Sequence, residues 1–374
     1  MEGDEMSWQG QHIKTLAKEK RLTLKSVADQ VGVSRQALND WSKGQIPKGG
    51  HLLRLCKTLG VAPDVFFASE RDSRIAVPMH RTRKTAKLND SMQEEAKELA
   101  ASYELFFRES SDPGLVQSLR IFKKTESEIS KASATLRKLG GIENDAPMNF
   151  NHVFSLVKDL GVNIVFSDFH EKIKAYAFYT KINNHRVVFV DFKTKVFDLI
   201  FAILHESIHS IRDESNAYGE TYIYDIEEED FCDQIASRAQ LTDGYFSFVL
   251  EAIKGLNTNT KLSQLAKFAA KNNHTMHAIQ KRVGSELPDF GDNLYRVETN
   301  LRKSSPTVRE RFFKAKDARE YIDLWKSVSP IYLEHVIEQS EKISPRRLCE
   351  LLSIDSELDA VEAKAELVRI KCEG

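Results

Sequence analysis

The stretch 195–212, KVFDLIFAILHESIHSIR, constrains this chain more than any other. Val196, Phe197, Leu199, Ile200, Phe201, Ile203 and Leu204 are apolar on nearly every side, so a helix here must be buried in a domain core. Into that core it carries His205, Glu206 and His209, in the order H-E-x-x-H. Residues four apart lie on one helix face, and imidazoles in a core need polar partners. A zinc ion gripped by both rings is the partner this spacing supplies best, with Glu206 beside the first ring, able to polarise a water on the metal. The plain alternative is a helix whose two histidines are hydrogen-bonded to other protein groups.

A hydrolytic zinc site also needs a third protein ligand, with one position left open for water. The segment 225–233, DIEEEDFCD, holds six carboxylates in nine residues and begins a helix that runs on through Ala239. Such an acidic run is also what a solvated helix N-terminus looks like, stabilised by the macrodipole. Ahead of the histidine helix come a short helix over 153–160, stopped by Gly161, and three strand-like runs at 162–166, 176–180 and 187–191. Asn183-Asn184 sits between the last two as a hairpin turn. These strands make the region α+β, and an edge strand there can hold an extended substrate by backbone pairing.

The N-terminal residues show a different pattern. Ile13, Leu16 and Ala17 form one amphipathic face; Leu24, Val27, Ala28 and Val31 form a second, capped by Thr23 and broken at Gly32. Ser34 caps a third helix, RQALNDW, whose Ala37, Leu38 and Trp41 face inward. Arg35, Gln36 and Asn39 then point outward near the helix start, with the hydrogen-bonding groups that read base edges in a major groove. Segments 51–59 and 62–67 supply closing helices. Charge agrees: residues 1–87 carry 16 Lys+Arg against 9 Asp+Glu, a surplus of +7, leaving −8 for the rest under a whole-chain net of −1. A basic front and an acidic rear suit a chain of which only the front meets nucleic acid.

At 374 residues the chain suits two or three domains. It has no apolar run long enough to span a membrane, and its opening, MEGDEMSWQG, is unlike a secretory signal. Cys56, Cys232, Cys349 and Cys372 are scattered without a C-x-x-C pair, which points to a reducing cytoplasm and away from a zinc ribbon or disulfide framework. Residues 79–89 read as a basic linker. Two helical patterns follow at 91–108 and 115–139.

Two resemblances sharpen these readings. LTLKSVADQVGVSRQALNDWSKGQIP resembles the helix-turn-helix of the Xre/Cro-repressor family, and LLRLCKTLGVAPDVFF is similar to that family's last two helices. This resemblance covers about 12–68. It implies five helices and DNA binding, with Ser34 as cap, Arg35, Gln36 and Asn39 as base readers and Lys43 on a phosphate. Leu24, Lys25 and Ser26 stand where the family often has a glutamine. Glu229-x-x-Cys232-Asp233-x-x-Ala236 resembles the second motif of the ImmA/IrrE metallopeptidase family. AYAFYTK and RVVFVD are similar to that family's strands, and LRKLGGIE and VFSLVKDLGVNIVF to its earlier segments, over about 115–255. This second resemblance implies Zn2+ held by His205, His209 and Glu229, with Glu206 as general base. Ile208, Asp233 and Thr242 depart from common family residues, and none removes a ligand or the base. Residues 262–283 resemble a helix-turn-helix-like segment that often follows the peptidase part; His274 and His277 within it have no nearby carboxylates in sequence and suggest no second metal.

The expected protein is mostly α with a small α+β domain: a helix-turn-helix over 1–70, a linker and connecting helix over 71–112, a zincin-like metallopeptidase domain over 113–255, and a helical region over 256–374. Its expected function is that of a cytoplasmic DNA-binding regulator whose endopeptidase cleaves a repressor- or antitoxin-like partner, or itself, on a signal. The alternative is a non-catalytic Xre-type regulator or antitoxin whose peptidase-like domain senses a ligand. A homodimer on a two-fold operator is the usual arrangement for such repressors, and no membrane partner is expected. Tyr176, Tyr179, Tyr218, Tyr222 and Tyr224 are near enough in sequence to be candidates for stabilising an oxyanion, but a core or hairpin role suits each of them better.

Overall fold

A computed structural model describes residues 6–8, 10–20, 22–61, 66–69, 90–111, 124–142, 144–212, 226–315 and 317–373. The first unit opens with strand β1 (Met6–Trp8), followed by α1 (His12–Glu19), α2 (Leu24–Val31), α3 (Arg35–Ser42) and α4 (Gly49–Leu59). The caps act as the sequence suggests. The Thr23 hydroxyl accepts the Ser26 N–H at 3.1 Å, and Gly32 closes α2 at φ 76°, a left-handed conformation that costs glycine nothing. Ile13, Val27, Val31, Leu38, Leu55 and Leu59 fill the core. The end of the unit differs from expectation. Residues 62–65 lie outside the described set, and Phe67 starts a strand, β2 (Phe67–Ser69), rather than lying in a fifth helix. β2 pairs antiparallel with β1, Met6 opposite Ser69. Trp8 anchors this ribbon, stacking on Phe66 at 5.2 Å and donating its indole N–H to the Trp41 carbonyl at 2.8 Å. Among the described residues the unit thus has four α-helices and a two-strand ribbon.

The expected linker at 79–89 lies outside the described residues. The pattern at 91–108 forms two helices rather than one, α5 (Asp90–Ala101) and α6 (Glu104–Glu109). They break where the Ser102 hydroxyl donates to the Leu99 carbonyl at 2.7 Å and Tyr103 turns its ring onto Phe189, 5.3 Å between centroids. Of the pattern at 115–139, α7 (Glu126–Leu139) is described, capped by Thr125.

Next come α8 (Phe150–Asp159), held by a capping box between Asn149 and His152, and strands β3 (Val162–Ser167), β4 (Ala177–Ile182) and β5 (His185–Asp191). The spatial order is β3-β5-β4. β3 runs parallel to β5, and β4 pairs antiparallel through a two-residue turn with Asn183 at φ 47° and Asn184 at φ 68°, the type I′ geometry these residues favour. Helices α8, α9 and α17 cover the sheet, which explains its unbroken apolar runs. β4 is an edge of this sheet, and α9 (Val196–Arg212) lies against it. All of α9 is buried except Phe201 and Arg212. Beside it packs α10 (Ile226–Gln240).

Helices α11 (Asp243–Ile253), α12 (Thr258–Asn272), α13 (Met276–Val283) and α14 (Asp292–Ser304) gather round a separate core of Tyr245, Phe246, Val249, Leu265 and Ile279, into which α9 projects Phe197. The remaining helices are α15 (Val308–Phe312), α16 (Ala318–Val328), α17 (Pro330–Glu338), α18 (Pro345–Leu352) and α19 (Glu357–Glu373). They share the core of the sheet-bearing unit through Val308, Trp325, Tyr332 and Leu351. Thr307 caps α15, with Glu310 completing a capping box. The Pro306 carbonyl holds the start of α9 by accepting the Val196 N–H at 3.0 Å.

Candidate metal centre and nucleic-acid interface

Helical spacing brings His205 and His209 to one face of α9, and their Nε2 atoms lie 3.1 Å apart. Glu229, on the first turn of α10, reaches across. One carboxylate oxygen lies 3.3 Å from Nε2 of His205 and the other 3.2 Å from Nε2 of His209. These three groups are buried, each offering a ligand atom within 4.8 Å of the others. Two imidazole nitrogens turned toward each other and toward one carboxylate form the donor set of a tetrahedral zinc site with a fourth position open. The residues present therefore fit the ion.

Around this cluster sit residues that orient it. Asp233, one turn beyond Glu229 on α10, places Oδ1 3.0 Å from Nδ1 of His205, as a carboxylate that fixes a ligand histidine's ring would. Burial would lower the His205 pKa, but the carboxylates of Asp233, Glu229 and Glu206 outweigh it and raise it to about 9. On the other ring, Nδ1 of His209 lies 3.6 Å from Sγ of Cys232. Burial pushes the Cys232 thiol well above its ordinary pKa, so it meets His209 as a neutral thiol. Glu228 is half-buried beside Cys232 and is paired with Arg212 and Lys124, which hold its carboxyl low against burial.

Glu206 is 2 % exposed, and its Oε2 accepts the backbone N–H of Tyr179 on β4 at 2.8 Å. The Glu206 carboxylate is thus pinned to the sheet edge. His205, Glu206, Asp233 and Tyr176 line one side of a cavity of about 560 Å³, large enough for several residues of an extended chain. Of the tyrosines suggested by sequence, Tyr176 borders the cavity and the Tyr179 ring is buried in the core. Tyr218, Tyr222 and Tyr224, like Asp225, lie outside the described residues.

On the first unit, Ser34 accepts the Ala37 N–H at 3.1 Å and starts α3. At about 100° per residue, positions 35, 36, 39 and 43 fall within about 100° of arc on the helix. Leu38 and Trp41 occupy the opposite, buried side. Arg35, Gln36 and Lys43 are exposed and Asn39 is half-buried. The Gln36 amide donates to Oδ1 of Asp40 at 2.8 Å, which presets its orientation along the helix.

Residues 13–66 match the family model of a helix-turn-helix domain. The N-terminal unit is therefore a helix-turn-helix module, and this supports DNA binding by the protein. No curated protein and no solved structure matches the chain. No described helix is long and apolar enough to cross a membrane.

Some features of the structure have no sequence signal. Arg302 of α14 forms a two-pronged pair with Asp198 of α9, at 2.9 and 3.0 Å, and also reaches Glu298 at 3.3 Å. These partners are 104 residues apart, and neither stands in a motif. His274 and His277 separate in role. His274 is buried and takes the Tyr245 hydroxyl at 2.7 Å, whereas His277 is exposed and borders the cavity.

Proposed function

We propose that this protein is a DNA-binding transcriptional regulator carrying a zinc-dependent endopeptidase, which cleaves a repressor- or antitoxin-like partner, or the chain itself, in response to a signal. The observation that supports this most is the convergence of His205, His209 and Glu229 from two helices beside a fourth buried group, the carboxylate of Glu206, at the wall of an open cleft. A purely structural metal site has no need of that fourth group. Zinc, when bound, supplies Lewis acidity that polarises a peptide carbonyl and acidifies water. The chain's own groups do the rest. Glu206, held by the Tyr179 N–H, accepts a proton from water and returns it to the leaving amine. The β4 edge offers backbone groups along which an extended substrate can pair. Asp233 keeps the His205 ring in register.

The test is metal content and cleavage measured together on the full chain. The protein should carry near one zinc equivalent, and Glu206→Gln should keep the zinc while losing cleavage of a co-expressed repressor. Retained zinc with undiminished cleavage would remove Glu206 from the chemistry, and no zinc after metal-replete expression would leave a DNA-binding sensor.

A further inference from the structure

The turn between α12 and α13 repeats the turn between α2 and α3, group for group. Gly32 at φ 76° and Asn273 at φ 51° are the left-handed caps. Two residues on, Ser34 and Thr275 cap the next helix by accepting the N–H of Ala37 and of Ala278, at 3.1 and 3.0 Å. The intervening Val33 and His274 donate their N–H groups back to Ala28 and Ala269, at 3.0 and 3.2 Å. Leu38 and Ile279 both fill a core completely. The chain thus contains a second helix-turn-helix, with α13 in the place of the recognition helix.

That helix cannot act as α3 does. The counterpart of Arg35 is Met276, which is 1 % exposed and belongs to the core. Thr275, His277, Ala278 and Lys281 line the cavity shared with His205 and Glu206, His277 and Lys281 being exposed at its mouth. A helix must protrude to enter a major groove about 12 Å wide, and this face is turned into a cleft. It is also locked there. Glu298 of α14 accepts the His277 N–H at 2.9 Å and pairs with Arg302, which in turn holds Asp198 on the histidine-bearing helix α9.

We propose that α13 is the substrate-reading wall of the cleft, selecting polypeptides with an acidic side chain near the scissile bond. Lys281, the basic side chain of this lining that no described carboxylate engages, argues for the class. The carboxylates lining the cavity are each engaged: Asp198 and Glu298 by Arg302, Asp233 by His205, and Glu206 by the Tyr179 N–H. Lys281 is exposed and lines the same cavity, and no described residue pairs with its ammonium. An incoming carboxylate is the partner it lacks, and His277 one turn earlier adds a hydrogen-bonding ring to the same wall.

This inference rests on the peptidase reading of the cleft, so binding is measured in a protein unable to cut. Full-length, zinc-supplemented Glu206→Gln is titrated by fluorescence anisotropy with two labelled peptides, one alternating Ala and Glu, the other alternating Ala and Lys. The Glu peptide should bind at least about tenfold more tightly, and adding Lys281→Glu should remove or invert that preference. Lys281→Met, which deletes the charge without reversing it, should give an intermediate value. Random-sequence duplex DNA is the control: Lys43→Glu should weaken its binding and Lys281→Glu should not. Equal binding of both peptides, no binding of either, a preference that survives Lys281→Glu, or DNA binding that falls with Lys281→Glu would each overturn the proposal. Failure of the peptidase reading is a separate result, seen only in cleavage.

Discussion

Zinc-linked stability gives the most direct check on the three-residue cluster. The perturbation is Glu229→Ala, which removes the group that spans His205 and His209 at 3.3 and 3.2 Å. A metal that binds only the folded state at about 100-fold over its Kd adds about 2.7 kcal/mol. For a cooperative unit of 150–250 residues, about 1 kcal/mol moves the melting temperature by about 2–4 °C. Saturating zinc should therefore raise the parent's midpoint by about 5–10 °C over its value in chelator. Glu229→Ala, left with two imidazoles, should shift by less than about 2 °C at the same zinc concentration. The variant also loses a carboxylate buried to 8 % exposure, so its metal-free midpoint will move too. Each protein is therefore compared with its own chelated sample, by differential scanning fluorimetry and then calorimetry. A zinc-induced shift of equal size in the parent, Glu229→Ala and His205→Ala would place the metal elsewhere and refute the reasoning.

Three further outcomes are expected. Asp233→Asn should weaken zinc about 10–100-fold without changing stoichiometry, because the carboxylate 3.0 Å from Nδ1 of His205 orients a ligand rather than being one; competition with a chromophoric chelator measures it. In operator binding, Arg35→Ala should cost about 1–3 kcal/mol and relax sequence preference, whereas Lys43→Ala should weaken all sequences alike and flatten the log-affinity against log-salt slope by about 0.9. Burial lowers the His274 pKa to about 4, so the folded protein keeps this ring neutral while the unfolded chain binds a proton near pH 6.5. Its stabilising contribution is complete above that pH and is lost as pH falls toward 4, by at most about 3 kcal/mol. Urea titrations across this window should show the slope, and His274→Gln, which can still accept the Tyr245 hydroxyl, should flatten it.

Much of the architecture was legible because it depends on short-range spacing. The hairpin at Asn183-Asn184 follows from the ease with which asparagine takes positive φ, and the caps at Thr23 and Ser34 follow from their hydroxyls. The break between α5 and α6 was not legible. Its cause is the Tyr103 ring seeking Phe189, a residue on a strand more than 80 positions away. Nor was the strand at Phe67, whose backbone partner is the chain's own start.

The same division runs through the candidate site. Sequence alone determined that His205 and His209 share a face, since 3.6 residues per turn leave no other arrangement on a helix. It also determined a recognition helix with Arg35, Gln36 and Asn39 directed away from Leu38 and Trp41. Spacing and composition left the clustered carboxylates equivalent and only a resemblance singled out Glu229; the tertiary structure sets Glu229 against both histidines, while its neighbour Glu228 pairs with Arg212 and Lys124. It alone set Asp233 beside His205, bound Asp198 to Arg302, and turned α13 into the cleft. The reason is physical. Helix and turn geometry act over a few bonds, whereas the choice among equivalent carboxylates depends on how two helices pack and on which buried charges must be neutralised.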